Sequence, residues 1–158
     1  MRIGLGFDVH RLGEGDGVIL GGVRITFHKK LVGHSDADAL CHAIIDALLG
    51  AAALGDIGQH FPDTDPKYKG ASSIELLKQV AGEVRAAGYK ICNIDSVVAA
   101  EAPRLTPHRQ TIQNTLAAAI GIEPSSISVK GKTAEGLGPV GTGDAICAQA
   151  IALIEEIV

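Results

Sequence analysis

Aromatic side chains are scarce in this sequence of 158 residues: they make up 3% of the chain, and tryptophan is absent. A nucleobase would therefore find few rings on which to stack. A basic run is also missing, and the formal charge is -4, with 14 lysine and arginine residues against 18 aspartate and glutamate residues. We expect no nucleic-acid partner, and a polyanionic substrate would have to be held with the help of bound cations.

Cysteines are few and isolated. Cys41, Cys92 and Cys147 stand in apolar runs without CxxC spacing, which is typical of small buried residues in a reduced protein. Apolar runs fall short of the roughly 20 residues of a membrane span, and no signal-peptide core follows Met1. We therefore expect a cytoplasmic protein of bacterial type with no membrane contact, and a plastid protein that has lost a transit peptide stays open.

Several common catalytic motifs are absent. The chain has no GxSxG elbow, no Walker phosphate loop, no GxGxxG between a strand and a helix, and no cysteine with a catalytic signature. Its length is sufficient for folding without disulfides or a structural metal, so a bound metal would serve function. Composition and motifs alone indicate a metal-dependent enzyme that acts on a small anionic molecule.

The hydrophobic pattern predicts a single α+β domain over residues 1–158, with a mixed sheet of about four strands and three helices on one face. The predicted elements are a buried strand 2–10, a hairpin 18–25, a helix 36–53 capped by Ser35, a helix from Ser72 or Ser73 to Gly88, a strand 90–101, a helix capped by Thr106, and strands 126–133 and 144–156.

Asp8 and His10 stand two residues apart on the first predicted strand, so their side chains project from the same face. His42, on the polar row of the first helix, could complete a three-ligand site with one position open, as in catalytic zinc. Asp38 or Asp46, on the same row, could then orient the ligands. Chance spacing is the plain alternative, and the same ligand types also suit non-haem Fe(II), although those enzymes usually carry all three on strands.

The segment 55–71 is long for a loop in a compact domain and carries Asp56, His60, Asp63 and Asp65. A solvated surface loop and a binding wall are both open interpretations. The other histidines have ordinary interpretations: His28 and His60 are expected to be exposed, and His108 to be structural.

Four segments carry a family resemblance. GFDVHRL (6–12), the long run GHSDADALCHAIIDALLGAAALGDIGQHFPDTDPKYKGASS (33–73), EAPRLTPH (101–108) and KTAEGLG (132–138) resemble the 2-C-methyl-D-erythritol 2,4-cyclodiphosphate synthase family. The similarity extends over almost the whole chain in the right order. It implies conversion of 4-diphosphocytidyl-2-C-methyl-D-erythritol 2-phosphate into the cyclic diphosphate and CMP, by a homotrimer with active sites between neighbouring subunits.

The resemblance also implies roles for individual residues. Zinc would bind Asp8, His10 and His42, while His34 and Ser35 would contact the substrate phosphates, with His34 also aiding the transition state. The other implied roles are the methylerythritol contacts Asp56, Gly58 and Asp63, the cytidine pocket of a neighbouring subunit formed by Ala100, Pro103, Leu105 and segment 131–133, Thr133 near the diphosphate, and Glu135 as ligand of a second divalent ion, Mg²⁺ or Mn²⁺.

This chain departs from the family pattern after residue 131. Lys132 replaces a threonine and could add a phosphate contact or remain a solvated turn lysine. Pro139 and Thr142 stand where many members carry Phe and Arg lining an isoprenoid-diphosphate cavity on the trimer axis, so retention of that site stays open. A non-catalytic metal-binding or isoprenoid-diphosphate-binding relative is therefore the alternative to the synthase.

Overall fold

The computed structural model describes residues 1–157, and its centre is a five-stranded mixed sheet with helices on one face. The elements in the sheet are β1 (Arg2–Glu14), β4 (Lys29–Val32), β5 (Tyr89–Ala99), β6 (Ile127–Lys132) and β7 (Ala145–Glu156). A separate hairpin pairs β2 (Gly17–Leu20) with β3 (Val23–Thr26). The helices are α1 (Ala39–Ala52), α3 (Ser73–Ala86) and α4 (Arg109–Ile120), with single helical turns at α2 (Ile57–His60) and α5 (Gly138–Gly141).

The strand order is β4-β1-β7-β5-β6, in which β5 and β6 run parallel and the other neighbours are antiparallel. This confirms the α+β domain with a mixed sheet, but the expected count of about four strands was too low. β4 was missed because it has four residues, two of them lysines, and pairs only with the far end of β1. Lysines are common on edge strands, where they hinder pairing with another chain.

The two faces of β1 have different surroundings. Gly4, Gly6, Asp8 and His10 alternate on one face, and the two glycines approach the backbone of α1 closely. The opposite face is apolar yet open in the single chain, with exposures of 74% at Ile3, 68% at Leu5, 52% at Phe7 and 51% at Val9. The expectation of a buried strand was therefore wrong for one of its faces.

Helix α1 is the centre of the core, packed between the sheet and α3. Eleven of its 14 residues are buried, and the largest of these are leucines and isoleucines. Three residues of this helix are not buried: His42 and Asp46 are partly accessible, and Gly50 near its end is exposed. The helix therefore presents a short polar row beside β1, and the rest of its surface is apolar.

Several boundaries differ from the sequence prediction. α1 begins at Ala39 and its N-cap is Asp38, whose side chain accepts a hydrogen bond from the Cys41 amide, so Ser35 is not the cap. Ala37 has a left-handed φ of 58°, which turns the chain just before the helix. Thr106 opens a 3-10 turn that ends at His108, and α4 follows it. The hairpin around Gly21 and the strand character of 144–156 are as predicted.

No helix within residues 1–157 combines the length and the apolar character needed to cross a membrane.

Candidate metal centre and substrate cavity

Asp8, His10 and His42 come together where β1 faces α1. Their candidate ligand atoms all lie within 4.8 Å of one another, and no other group of this kind occurs among residues 1–157. The Nδ1 atom of His10 lies 2.8 Å from Asp8 Oδ2, and His42 Nδ1 lies 3.2 Å from the same oxygen. Two imidazole nitrogens thus converge on one carboxylate oxygen, as the sequence prediction required.

Charge interactions inside this cluster outweigh its burial. Burial alone would raise the pKa of Asp8, but the nearby imidazoles of His10 and His42 lower it to about 2. Burial works against a charged His42 too, and the Asp8 carboxylate nevertheless raises the pKa of that imidazole. The cluster therefore keeps an ionised carboxylate between two nitrogen donors.

A divalent cation suits this donor set. His10 Nδ1 is buried and, despite its short distance to Asp8, has no hydrogen-bond partner of acceptable direction. Such an unsatisfied nitrogen beside a carboxylate is costly unless something else binds its lone pair. Two imidazoles and one carboxylate match catalytic zinc sites, in which the fourth position stays open for substrate or water.

The other ring nitrogen of His42 contacts two serines, of which Ser35 was predicted as a site residue and Ser73 was not. His42 Nε2 lies 2.9 Å from Ser73 Oγ and 3.2 Å from Ser35 Oγ. The Ser73 hydroxyl in turn donates a short hydrogen bond to Asp36. No spacing rule could have found these contacts, because Ser73 lies 31 residues from His42 and at the start of another helix.

Asp38 and Asp46 do not orient the ligands, contrary to expectation. The buried carboxylate of Asp38 accepts from the amides of Gly21 and Gly22, at 2.9 and 2.7 Å, and so holds the hairpin against the start of α1. Asp46 accepts from the Ile57 amide at 2.8 Å and fixes α2 instead. Both carboxylates therefore accept hydrogen bonds from backbone amides and not from the candidate metal ligands.

A cavity of 480 Å³ opens beside the candidate metal ligands. It brings together the predicted residues His34, Ser35, Gly58 and Asp63 with His10 and His42. Its remaining lining is largely apolar and was not predicted: Gly33, Ile57, Phe61, Pro62, Tyr68 and Leu76. The segment 55–71 thus forms one wall of the cavity and is not a purely solvated loop.

The predicted sugar contact Asp56 lies at the edge of this wall and outside the cavity lining. Its carboxylate accepts from the Gln59 amide at 2.9 Å and caps α2. His60, expected to be exposed, is partly buried: its Nε2 lies 2.8 Å from the Leu54 carbonyl oxygen and its Nδ1 lies 3.0 Å from Glu83. The contact with Glu83 ties the cavity wall to α3. His28 is exposed, as predicted.

A second cavity of 360 Å³ contains the residues predicted for cytidine. Its lining comprises Ala100, Glu101, Pro103, Arg104, Leu105, Thr106, Gly131, Lys132 and Thr133. It shares no residue with the first cavity. A single chain therefore carries two separate groups of the predicted substrate residues.

The predicted second metal ligand, Glu135, lies on the turn after the second cavity. It has a left-handed φ of 53° and accepts a hydrogen bond of 2.7 Å from the Thr133 hydroxyl. Glu101 holds the same turn, since its carboxylate accepts from the Ala134 amide at 2.8 Å. The Thr133 and Glu135 side chains thus lie together at an exposed position.

Comparison with known proteins agrees with this arrangement. The sequence model of the YgbB family matches residues 1–155. The chain belongs to the YgbB family. A relative from Laribacter hongkongensis (strain HLHK9), named 2-C-methyl-D-erythritol 2,4-cyclodiphosphate synthase, is 57% identical over 156 residues, which cover 99% of this chain and 96% of the relative.

Solved structures of two proteins are also similar to this chain. The bifunctional IspDF from Campylobacter jejuni superimposes with a TM-score of 0.95 at 41% identity, covering 99% of this chain and 42% of that protein. A 2C-methyl-D-erythritol-2,4-cyclodiphosphate synthase described as a CDP-bound form gives a TM-score of 0.90 at 38% identity, covering 98% of this chain and all of that one.

Proposed function

We propose that this protein is a 2-C-methyl-D-erythritol 2,4-cyclodiphosphate synthase of the non-mevalonate route to isoprenoid precursors. It converts 4-diphosphocytidyl-2-C-methyl-D-erythritol 2-phosphate into the cyclic diphosphate and releases CMP. The observation that carries the proposal is the Asp8, His10 and His42 cluster, which opens onto a 480 Å³ cavity in a chain of this family.

The reaction explains the missing nucleophile motifs. The attacking group is the 2-phosphate of the substrate, which is ionised at neutral pH and needs no general base. Because ring closure is intramolecular, the protein accelerates it chiefly by holding the 2-phosphate in line with the β-phosphorus and the departing CMP. A shaped cavity with few polar groups serves that purpose.

His34 and Ser35 contact the substrate phosphates in this proposal, and His34 also stabilises the transition state. Both line the 480 Å³ cavity beside the metal ligands. Gly58 and Asp63, on the opposite wall, and Asp56 at its edge hold the methylerythritol part. This division places the phosphates next to the cation and the sugar chain against segment 55–71.

Zinc is the proposed resident ion, held by Asp8, His10 and His42. When bound it supplies a Lewis acid that polarises phosphoryl oxygens and neutralises developing negative charge. A second divalent cation, Mg²⁺ or Mn²⁺, is assigned to Glu135. A single carboxylate is sufficient there, because Mg²⁺ commonly binds one or two carboxylates and completes its shell with substrate phosphates and water.

The 360 Å³ cavity is the proposed cytidine pocket, formed by Ala100, Pro103, Leu105, Lys132 and Thr133. Thr133 is placed near the diphosphate as the second catalytic residue besides His34. None of the lining residues is aromatic, so cytosine would be read by backbone groups rather than by stacking. The CDP-bound relative supports a cytidine nucleotide as ligand.

A homotrimer would join the two cavities across a subunit boundary. Two observations support this assembly: the substrate residues of one chain fall into two separate cavities, and the apolar outer face of β1 is left uncovered. A face of this kind is typical of a subunit interface. The cytoplasmic location also remains a proposal, supported by the bacterial source of the relative.

The decisive experiment is a phosphorus NMR time course with the diphosphocytidyl substrate, zinc and magnesium. The proposal predicts CMP together with the signals of the cyclic diphosphate, and no turnover when a chelator is present. Asp8→Ala is expected to reduce the rate by orders of magnitude while the fold survives. Release of CMP with an open-chain product would contradict the proposal, since the site would then activate water without enforcing ring closure. An unchanged spectrum from folded and metal-loaded protein would favour a non-catalytic relative.

A further inference from the structure

We infer that Asp36 and Ser73 are positioning residues for the metal site: through a directed chain of hydrogen bonds they keep a proton on His42 Nε2 and leave His42 Nδ1 free to bind a cation. This inference rests on the proposed metal site, and it goes beyond that site by assigning two residues that do not touch the ion.

Three hydrogen bonds connect Asp36, Ser73 and His42. The Asp36 carboxylate receives the hydroxyl of Ser73 on Oδ1 and the backbone amide of Ser73 on Oδ2, the latter at 3.0 Å. Ser73 Oγ lies 2.9 Å from His42 Nε2. The Ser73 side chain is fully buried, so water does not compete for these bonds.

Hydrogen-bonding capacity gives the chain a direction. An ionised carboxylate only accepts, so the single hydroxyl proton of Ser73 must point at Asp36. Ser73 Oγ can then act only as an acceptor toward His42, so Nε2 carries the proton, which Ser35 Oγ at 3.2 Å can also accept. When a cation replaces the proton that Nδ1 shares with Asp8 at 3.2 Å, the imidazole is neutral and its remaining lone pair lies on Nδ1.

Histidine ligands of metals usually donate their second ring N–H to such a partner, which fixes the tautomer and the orientation of the ring. His10 differs from His42 in this respect, since its unsatisfied Nδ1 faces the cluster and no hydrogen bond is made by its Nε2 within the described residues. The Ser73 contact therefore fixes the ring of His42, and His10 has no equivalent contact.

Asp36 also has a structural role that the test must separate from positioning. Its bond from the Ser73 amide satisfies the first turn of α3, where the N-cap Ser72 makes no side-chain hydrogen bond. Loss of Asp36 or Ser73 could therefore destabilise α3 without any influence on the metal. A readout of the His42 tautomer is needed, since helix stability does not determine it.

Zinc affinity and histidine nitrogen NMR together test the inference. In zinc-loaded wild-type protein with ¹⁵N-labelled histidine, we expect a proton on His42 Nε2 and none on Nδ1. Competition with a chromophoric chelator should show zinc binding weakened about 10–100-fold in Ser73→Ala. Ser72→Ala is the matched control, because that neighbouring hydroxyl is exposed and makes no capping bond, and its zinc affinity should equal that of wild type.

Asp36→Asn provides a second and sharper variant. The asparagine oxygen can accept from the Ser73 amide while its NH₂ group donates to Ser73 Oγ. The hydroxyl proton is then free to point at His42 Nε2, so the zinc-free protein should lose the proton on Nε2, keep the proton that Nδ1 shares with Asp8, and bind zinc less tightly. Ser73→Thr, which keeps the hydroxyl that Ser73→Ala removes, should show the wild-type tautomer.

The outcomes separate this inference from the proposed function. If wild-type protein binds zinc in an Asp8-dependent manner but Ser73→Ala and Asp36→Asn retain wild-type affinity and tautomer, the inference is wrong and the metal site stands. A zinc-loaded wild type with the proton on Nδ1 would overturn the inference even if Ser73→Ala fails to fold. Absence of zinc binding in wild type would reject the metal site and the inference together.

Discussion

A Cβ atom on Gly6 would lie 1.8 Å from the carbonyl oxygen of Ala43, so β1 and α1 touch through their backbones at this point. One strand repeat earlier, a Cβ on Gly4 would come within 2.0 Å of the Ala47 carbonyl. Asp8 continues the same face of β1. The two glycines thus set the separation at which the ligands of β1 meet His42 on α1.

Gly6→Ala should therefore damage both the fold and the metal site. The added methyl group cannot be accommodated by a side-chain movement, since its neighbours are backbone atoms of α1. We expect the free energy of unfolding to fall by about 2 kcal/mol or more, and zinc affinity to fall with it, because α1 must move away from β1. Urea unfolding and chelator competition measure the two effects.

Gly82→Ala is the matched control for that substitution. Gly82 lies in α3 and is exposed, and nothing lies within 4 Å of a Cβ built there. Removing a glycine from a helix interior should stabilise the protein by about 0.5–1 kcal/mol and leave zinc binding unchanged. Equal behaviour of the two variants would refute the backbone contact as the determinant of the site.

The sequence predicted the candidate metal ligands but not the residues that contact them. Asp8 and His10 share a face by strand alternation, and His42 lies on the polar row of a helix that is otherwise apolar, so their types and spacing were informative. Asp36 and Ser73 act on His42 through a tertiary contact between a turn and a second helix. Such a contact has no local spacing, and only the fold shows it.

Burial by a partner is a second limit of sequence reasoning. The run IGLGFDV predicts a buried strand, although only the glycine side is covered by the helices of its own chain. A hydrophobic pattern shows that a face must be buried, not whether α1 or another copy of the chain buries it. β4 was missed for a related reason, because two lysines in four residues obscure an edge strand.

Leu5→Asp should disrupt the proposed homotrimer. Leu5 is 68% exposed in the single chain, at the centre of the apolar outer face of β1, so an unpaired carboxylate there would be buried on assembly. We expect sedimentation to shift from trimer to monomer and turnover to be lost, while far-UV circular dichroism is retained. Lys78→Asp, on the exposed side of α3, is the control and should sediment as wild type. A trimer of unchanged stability in Leu5→Asp would place the interface elsewhere.

Asp46→Asn should alter the pH dependence of stability. Burial is the main cause that raises the pKa of Asp46 above its ordinary 3.8, and the negative charges of Asp56 and Asp8 add to it. As pH rises above that value, the unfolded chain ionises more readily than the folded one, so wild type loses stability that the neutral asparagine keeps. The melting temperature of Asp46→Asn should therefore rise relative to that of wild type between about pH 4 and pH 7.

Asp65→Asn is the control for that experiment, since Asp65 behaves in the opposite way. The backbone amide of Lys67 is the main cause that lowers its pKa, so the stability it contributes is present above its ordinary value and lost only in more acidic solution. The difference between Asp65→Asn and wild type should stay constant over the same pH range. A constant stability difference between Asp46→Asn and wild type would show that the pKa of the Asp46 carboxyl is not raised.

Lys132→Ala distinguishes the two interpretations of Lys132. The residue is exposed and lines the 360 Å³ cavity, so its ammonium group can reach a phosphate of a bound cytidine nucleotide. If Lys132 contacts that phosphate, the substitution should raise KM by about 2–5-fold with little change in kcat, because an exposed ionic contact contributes up to about 1 kcal/mol. The ratio of KM values should shrink with added salt. Lys78→Ala, on the exposed side of α3, should leave KM unchanged, and an equally unchanged KM in Lys132→Ala would identify Lys132 as a solvated turn residue.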